Sequence, residues 1–296
     1  MKQRPTAALA ILGAVLLLTS ACGQARAGTA VPKGDDAAAY VSAKFEGVME
    51  KLSDTLGTQR DTTTTYDTYF RFDDKWVRST ITSARLGSPE KRVSHVQSQK
   101  DPDDLRDYYD PADGTVNYTH LGPTYKSLAP TSWVSMPKPA TGNGPLCAWT
   151  GILPACYMAS AVGRAFDADK KAVTSARTLP DGKIEVTASV PLSDFFDARV
   201  EVLPASIASQ ISEATLKQIV PTKVTISPDG TLNQITMEAT ISGDNHKIEV
   251  KEDFRFTGKA TPQDFPATPD PADVTVLPDK PAVDDFYRRL GEITGR

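Results

Sequence analysis

Two hydrophobic periods alternate along this chain. Between Asp36 and Leu56 the apolar residues Val41, Phe45, Val48, Met49, Leu52 and Leu56 share one helical face. Asp35 or Asp36 stands where an N-cap belongs, and Gly57 where a helix ends. From Thr62 the period falls to two. Tyr66, Thr68, Phe70 and Phe72 alternate with Asp67, Tyr69 and Arg71, Asp73-Asp74 reads as a tight turn, and Trp76 to Ala84 returns as a second strand. His95 to Gln99 and Tyr108-Tyr109 extend the sheet. Asp110-Pro111-Ala112-Asp113-Gly114 is a turn in which Pro presets φ and Gly tolerates a positive one. Strands are expected at Val116–His120 and again from Tyr125 to Met136.

Residues 137 to 156 read as irregular, and Tyr157 to Asp169 as a helix. The alternation then becomes clean. Ile184, Val186, Ala188 and Val190 share one face. Phe196, Ala198, Val200 and Val202 are expected to do the same on a further strand. Ala205 to Ile219 is expected to be a second amphipathic helix. Val224 and Ile226 lead into the turn Ser227-Pro228-Asp229-Gly230, from which Ile235, Met237, Ala239 and Ile241 return. After Gly243-Asp244-Asn245 come Ile248, Val250, Phe254 and Phe256. Six prolines between Pro262 and Pro281 predict an extended arm rather than a strand. Val283, Phe286, Tyr287, Leu290 and Ile293 predict a short closing helix. Strands joined in sequence by short turns are antiparallel hairpins. The expected class is α+β: a single large curved antiparallel sheet, a half-barrel, with helices packed on its concave face.

The first 22 residues change the picture of where such a domain sits. Lys2 and Arg4 precede an apolar run from Ala7 to Leu18, too short to span a bilayer but of secretory-leader length. The run ends in Leu18-Thr19-Ser20-Ala21-Cys22, which resembles a bacterial lipobox with its Leu one place early. That resemblance implies diacylglyceryl attachment at Cys22, with residues 1–21 removed and two acyl chains supplying stable anchoring at the extracytoplasmic face of the membrane. The alternative is an ordinary leader cut after Ala21 or Ala27. Residues 22–35 read as a flexible tether. Cys147 and Cys156 remain, and outside the cytoplasm so close a pair reads as a disulfide.

Composition narrows the function further. The chain has 296 residues, with 33 basic against 37 acidic side chains and a net charge of −4, and no basic block. That argues against a nucleic-acid partner. There is no Gly-x-Ser-x-Gly, phosphate loop or His-Glu-x-x-His. Ser88-Pro89-Glu90-Lys91 matches a Ser-x-x-Lys string but falls in a loop and lacks its Lys-Thr-Gly partner. His95, His120 and His246 have no metal-ligand spacing, and the acidic stretches 101–104 and 110–113 lack that of a calcium loop. No catalytic residue, metal or cofactor is expected.

The order of elements carries a resemblance, strongest in the C-terminal third. There the run Val220-Pro221-Thr222-Lys223-Val224-Thr225-Ile226 is followed by Pro228-Asp229-Gly230-Thr231-Leu232-Asn233-Gln234. Two strands ending Phe254-Arg255-Phe256-Thr257-Gly258 and a Pro-rich tail complete it. With the hairpins from Tyr118 to Trp133-Val134 and the lipobox, this is similar to the LppX/LprAFG lipoproteins of actinobacteria, within the LolA-like superfamily. The Cys147/Cys156 insertion and the closing helix depart from that pattern. The resemblance implies a LolA-like domain over about 36–260, with 261–296 as arm and helix. It also implies a non-enzymatic role in binding and moving or presenting a lipid or lipoglycan in the cell envelope. Candidate wall residues for an acyl chain are Ile184, Val186, Ala188, Val190, Ile235, Met237, Ala239, Ile241, Ile248, Val250, Phe254 and Phe256; packing of an ordinary core explains each equally well. The other reading is a module that binds an envelope protein and holds no lipid.

Overall fold

The computed structural model describes residues 59–138 and 146–294, together with Gly47, which is helical. The expected leader, Cys22, the tether and the rest of the helix at 36–56 lie outside the described residues.

Twelve strands form one sheet. The first group is a meander: β1 (Thr62–Phe72), β2 (Lys75–Leu86), β3 (Lys91–Ser98), β4 (Leu105–Asp110), β5 (Val116–Leu121) and β6 (Trp133–Pro137). The second runs β7 (Val173–Thr178), β8 (Ile184–Pro191), β9 (Ile219–Ile226), β10 (Leu232–Gly243) and β11 (His246–Lys259), and β12 (Val274–Val276) comes last. The order across the sheet is β12-β6-β5-β4-β3-β2-β1-β11-β10-β9-β8-β7. Within each group strands consecutive in sequence pair antiparallel, β8 and β9 across the helical residues 192–218, and the two groups meet where β1 pairs antiparallel with β11 along its full length. A twisted open sheet beyond about ten strands has to curl, and this one is curved, with helices on its inner face. The expected α+β class and half-barrel sheet are what the chain adopts.

The side chains follow the pleat. Even-numbered residues of β1 point inward, so register places Ile81, Ser83 and Arg85 of β2 beside Tyr66, Thr64 and Thr62. Across the seam, Phe70 meets Val250 and Phe72 meets Ile248. The inner face holds two separate apolar clusters. The larger joins β1 and β7–β11 to α1 (Leu153–Ala168) and to α2 (Leu192–Asp197). Helix α1 forms because Pro154 is tolerated in its first turn and alanines dominate its interior. Ala155, Met158, Ala161, Val162, Ala165 and Phe166 recur at helical spacing and face the sheet. The smaller cluster gathers Leu121, Tyr125, Leu128, Val134 and Met136 at the β5–β6 end beneath Phe286 and Leu290 of α5 (Lys280–Thr294). The closing helix is therefore present, with Tyr287 and Ile293 on its exposed side.

Several expectations are corrected. Phe196–Val202 is not a strand: Leu192, Phe195 and Ala198 are buried at a spacing of three, in α2 and its C-cap. Arg199 then turns the chain with φ 62. The apolar residues thus match a helical period as well as a strand period. The helix expected over 205–219 is two single turns, α3 (Ala205–Ala208) and α4 (Glu213–Leu216), and Ile219 already belongs to β9. Ser212 breaks the helix because its hydroxyl accepts from Thr215 N at 3.3 Å, starting a new turn. The strand expected from Tyr125 begins only at Trp133, since Pro123–Tyr125 is a 3₁₀ turn. Helix α1 starts at Leu153, inside the stretch read as irregular.

The Pro-rich arm also contains a strand. It leaves β11 and crosses the outer face, where Phe265 takes Lys91 over its ring at 4.2 Å. It then reaches Tyr109, whose hydroxyl meets Thr268. Val274–Val276 finally pairs parallel with β6, the one parallel pair among the described residues. The arm straps the sheet from its centre to one edge.

Cys147, in a 3₁₀ turn, and Cys156, in the first turn of α1, are bonded as expected, with Cα atoms 5.9 Å apart. The closed loop is short, so C147S/C156S is expected to lower stability by about 2–3 kcal/mol in denaturant titration. An unchanged midpoint would show that the α1 entrance is held by packing alone. Phe286→Ala is expected to cost about 3–5 kcal/mol where it acts. Because its cluster is separate, hydrogen exchange should quicken at β5, β6 and α5 before β8–β11.

Candidate functional site

The inner face brings all twelve candidate wall residues together. Ile235 lies opposite Phe254, Ala239 opposite Val250 and Ile241 opposite Ile248. Val224 links Ile235 to Val186 through β9. Val186, Ala188, Val190, Ile235, Met237, Ile241, Ile248, Val250 and Phe254 are fully buried, while Ile184, Ala239 and Phe256 are half-buried at the margin. Burial of each large side chain contributes about 1.5–3 kcal/mol. Facing them, α1 presents mostly small residues, three of its six buried positions being alanine.

Between the two apolar clusters the inner face turns polar. Register sets Thr64, Ser83, Ser94, Tyr108 and Thr119 in one row across β1 to β5. Arg85 lies opposite Arg92 in the next row, and both approach Glu90. The turn inside the disulfide loop covers one end. Thr64 donates to Gly151 O at 3.0 Å, and Trp149 lies 5.5 Å from the Arg92 guanidinium. Gly151 is required there, because a Cβ would sit 2.7 Å from that of Ser83. Buried without a hydrogen-bond partner on this stretch are Ser83 Oγ, Ser94 Oγ, Arg106 Nε and Asn117 Oδ1. Each such atom costs about 1–3 kcal/mol.

The outer face is charged. An open groove of about 420 Å³ there runs past Asp67, Tyr69, Arg78, Glu238, Lys251 and Asp253. Arg255 bridges Asp67 at 2.8 Å and also pairs with Asp253. Farther along, the sheet joins two histidines that are distant in sequence. Asp107 lies opposite both His95 and His120, bonds His95 Nδ1 and stands 3.4 Å from His120 Nδ1. Periodicity puts the two histidines on strands, but only register makes them and Asp107 neighbours. Among the described residues no group of three His, Cys, Asp or Glu is arranged to hold a metal.

Within the β11 run from Ile248 to Phe256 one inner-face residue is absent from the wall series. Glu252 occupies the position between Val250 and Phe254 and is 2% exposed. Tyr66 donates to its Oε2 at 2.5 Å and Thr68 to its Oε1 at 3.1 Å. Burial pushes its pKa well above the ordinary carboxylate value, and the carboxylate of Glu201 pushes the same way. The bonds from Tyr66 and Thr68 oppose both without cancelling them. Burial likewise raises Tyr66. The sequence signal is a polar gap at 252 in an apolar series, facing a second gap at Thr68 on the paired strand. A raised native pKa means that stability is fully present at acid pH and falls as the unfolded chain ionises, from about pH 4.5 up to the native pKa. Glu252→Gln should therefore match the parent near pH 4 and surpass it above, by up to about 1.4 kcal/mol per pH unit. Thermal midpoints measured from pH 4 to 8 test this; a gap independent of pH would mean that Glu252 is ionised in the fold.

Among the described residues no helix is long and apolar enough to cross a membrane. No protein-family model matches the chain, and no curated protein matches its sequence. Solved structures do resemble it. The lipoprotein LppX of Mycobacterium tuberculosis superposes with a TM-score of 0.27 and 11% identity, over 72% of this chain and 93% of that one. A DUF1329 family protein from Desulfovibrio piger gives 0.21 and 7%, over 74% and 92%. A beta-barrel-like DUF1849 domain protein from Brucella abortus gives 0.16 and 13%, over 67% and 99%. These superpositions are loose, and the fold assignment rests on the sheet itself.

Proposed function

We propose that this chain is a non-enzymatic lipoprotein that holds the acyl chains of a lipid or lipoglycan between α1 and the inner face of the sheet, and carries or presents them in the cell envelope. The observation behind this reading is the make-up of that layer. A broad sheet face of branched and aromatic side chains is covered by a helix whose contact face is half alanine. Alanines make few contacts, so the alanine half of the α1 face gives up little when hydrocarbon takes its place, whereas each methylene that enters returns about 0.8 kcal/mol. Residues 1–21 are proposed as the leader, Cys22 as the lipidated N-terminus, 22–35 as the tether, 36–260 as the binding domain and 261–296 as the arm and closing helix. The twelve wall residues would line the chains.

The test is native mass spectrometry of the full chain extracted in mild detergent from its host's membranes, followed by organic extraction. A stoichiometric lipid is expected. Ala161→Trp, which fills the layer at a cost of about 1–3 kcal/mol, should reduce that lipid severalfold while far-ultraviolet circular dichroism stays unchanged. Cys22→Ala should release the protein from the membrane fraction. A lipid-free mass that stays unchanged after incubation with envelope lipids would overturn the reading in favour of an envelope protein partner.

A further inference from the structure

Several large hydrophobic side chains are exposed among the described residues. Val276, Tyr287 and Ile293 belong to the arm and the closing helix, while Trp76, Val77, Val202 and Ile219 gather at one end of the sheet. Register and hydrogen bonds place them there. Trp76 and Val77 follow the β1–β2 turn, opposite Arg71 and Phe70. Ile219 opens β9, and its neighbour Gln218 donates to Ser242 O at 3.0 Å, beside the β10–β11 turn. Val202 lies between α2 and Ser212. Phe196 of α2 packs edge-on against Phe70, with ring centres 6.2 Å apart, and the Ser212 N–H donates to Asp244 in the β10–β11 turn at 3.0 Å. The two turns are locked into one rim. Asp73 donates its N–H to Lys247 O and accepts from Lys247 N, each at 2.9 Å, and its carboxylate holds His246 Nδ1 at 2.7 Å. A scattered exposed valine means nothing, but such residues gathered on a rigid rim mark a contact surface.

Charge indicates what lies against it. Lys75, Arg78, Lys100 and Arg199 are exposed at this end and form no ion pair among the described residues. Lys100 Nζ stands 5.6 Å from the centre of the Trp76 ring. Most acids here are engaged within the protein: Asp73 as above, Asp244 by Ser212 and Thr215, Glu249 by Lys247 and Tyr69, and Asp101 by Thr124; Asp74 faces solvent. Aliphatic side chains beside an indole and free cations suit the boundary of a bilayer. The indole rests at headgroup level, the aliphatic groups enter the acyl region, and Lys and Arg reach up to phosphates. The sequence before Gln59 carries the anchor proposed at Cys22, which keeps a bilayer at high effective concentration. We propose that this end of the sheet docks on a phospholipid bilayer, with Val77, Val202 and Ile219 in the acyl boundary, Trp76 at headgroup depth and the cations on lipid phosphates. The inference takes the membrane anchor from the reading above and needs no bound lipid. Contacts this few hold far less tightly than two acyl chains, so they orient an anchored chain and would not retain one released by Cys22→Ala. Through Phe70, which belongs to the large apolar cluster, the docked end is continuous with the layer under α1.

The test is tryptophan fluorescence of the full chain reconstituted into nanodiscs of phosphatidylcholine and phosphatidylglycerol in equal parts, with and without bromine on the acyl chains. Bromine quenches only an indole close to it. Trp76 is exposed, whereas Trp133 is half-buried and Trp149 buried. Brominated lipid should quench the parent, and Trp76→Phe should abolish that quenching. Val77→Asp should abolish it too, and K75E/K100E should reduce it severalfold. Val276→Asp, at an exposed valine on the arm, should leave it unchanged. Quenching that survives in Trp76→Phe would put another tryptophan near hydrocarbon and overturn the docking. Equal loss in Val77→Asp and Val276→Asp would overturn it as well, since the position of the apolar residue would not matter. An anchored parent whose emission bromine leaves untouched would overturn the docking, keep the anchor and assign this end to a protein partner. A chain that does not enter the nanodiscs would overturn the anchor and this inference together. Bound lipid is counted separately by mass spectrometry, so the carrier reading stands or falls on its own.

Discussion

The pairing of β1 with β11 is the constraint on which the rest depends. Every other antiparallel contact in the sheet joins strands that follow each other in sequence, and each hairpin half is locally specified. Only this seam joins the ends of the domain, and it makes two meanders one surface. Its ordering entropy is paid by distant residues, so its interactions have to be specific. They are: outside, Arg255 reaches across to Asp67; inside, Glu252 takes hydrogen bonds from Tyr66 and Thr68. A slip of two residues would keep every side chain on its face yet strand a buried acid among hydrocarbons. The acid lowers stability at neutral pH and at the same time penalises the wrong register.

Once the seam is set, the inner face is a graded surface. An apolar floor under α1 gives way to the polar row on β2–β5 and then to the small cluster under α5. The gradient follows from the pleat, because one strand's side-chain choice is seen by its neighbours at the same height. Serine opposite serine and arginine opposite arginine across β2 and β3 therefore widen a polar position into a polar zone.

Much of this was legible in the chain. Alternation located β1, β2, β8, β10 and β11 and, in all but β2, grouped the inward residues correctly, since a strand with one buried face has little freedom in which side chains it hides. Where apolar residues were sparse the period was ambiguous. Leu192, Phe195 and Ala198 suit a helix, while Phe196, Ala198 and Val200 suit a strand, and a positive φ at Arg199 decided between them. Capping by Ser212 divided what the apolar spacing of 205–219 suggested was continuous. Neither the row of hydroxyls nor the clustering of His95, Asp107 and His120 has a local signature, because both arise from register between strands. The gap at Glu252 was visible in the sequence, and its meaning appears only with Thr68 beside it.

The strap has a consequence for the order in which the molecule is completed. A chain made from its N-terminus presents the β1–β6 meander with both outer strands unpaired until β11 arrives to cover one and Val274–Val276 the other. Residues 274–294 thus act as a seal, applied when everything beneath is in place. A product truncated before Val274 would keep its sheet but expose the β6 edge beside an uncovered apolar patch. Such edges recruit further copies of themselves. Val274–Thr294 therefore shields an edge and a patch that would otherwise favour self-association.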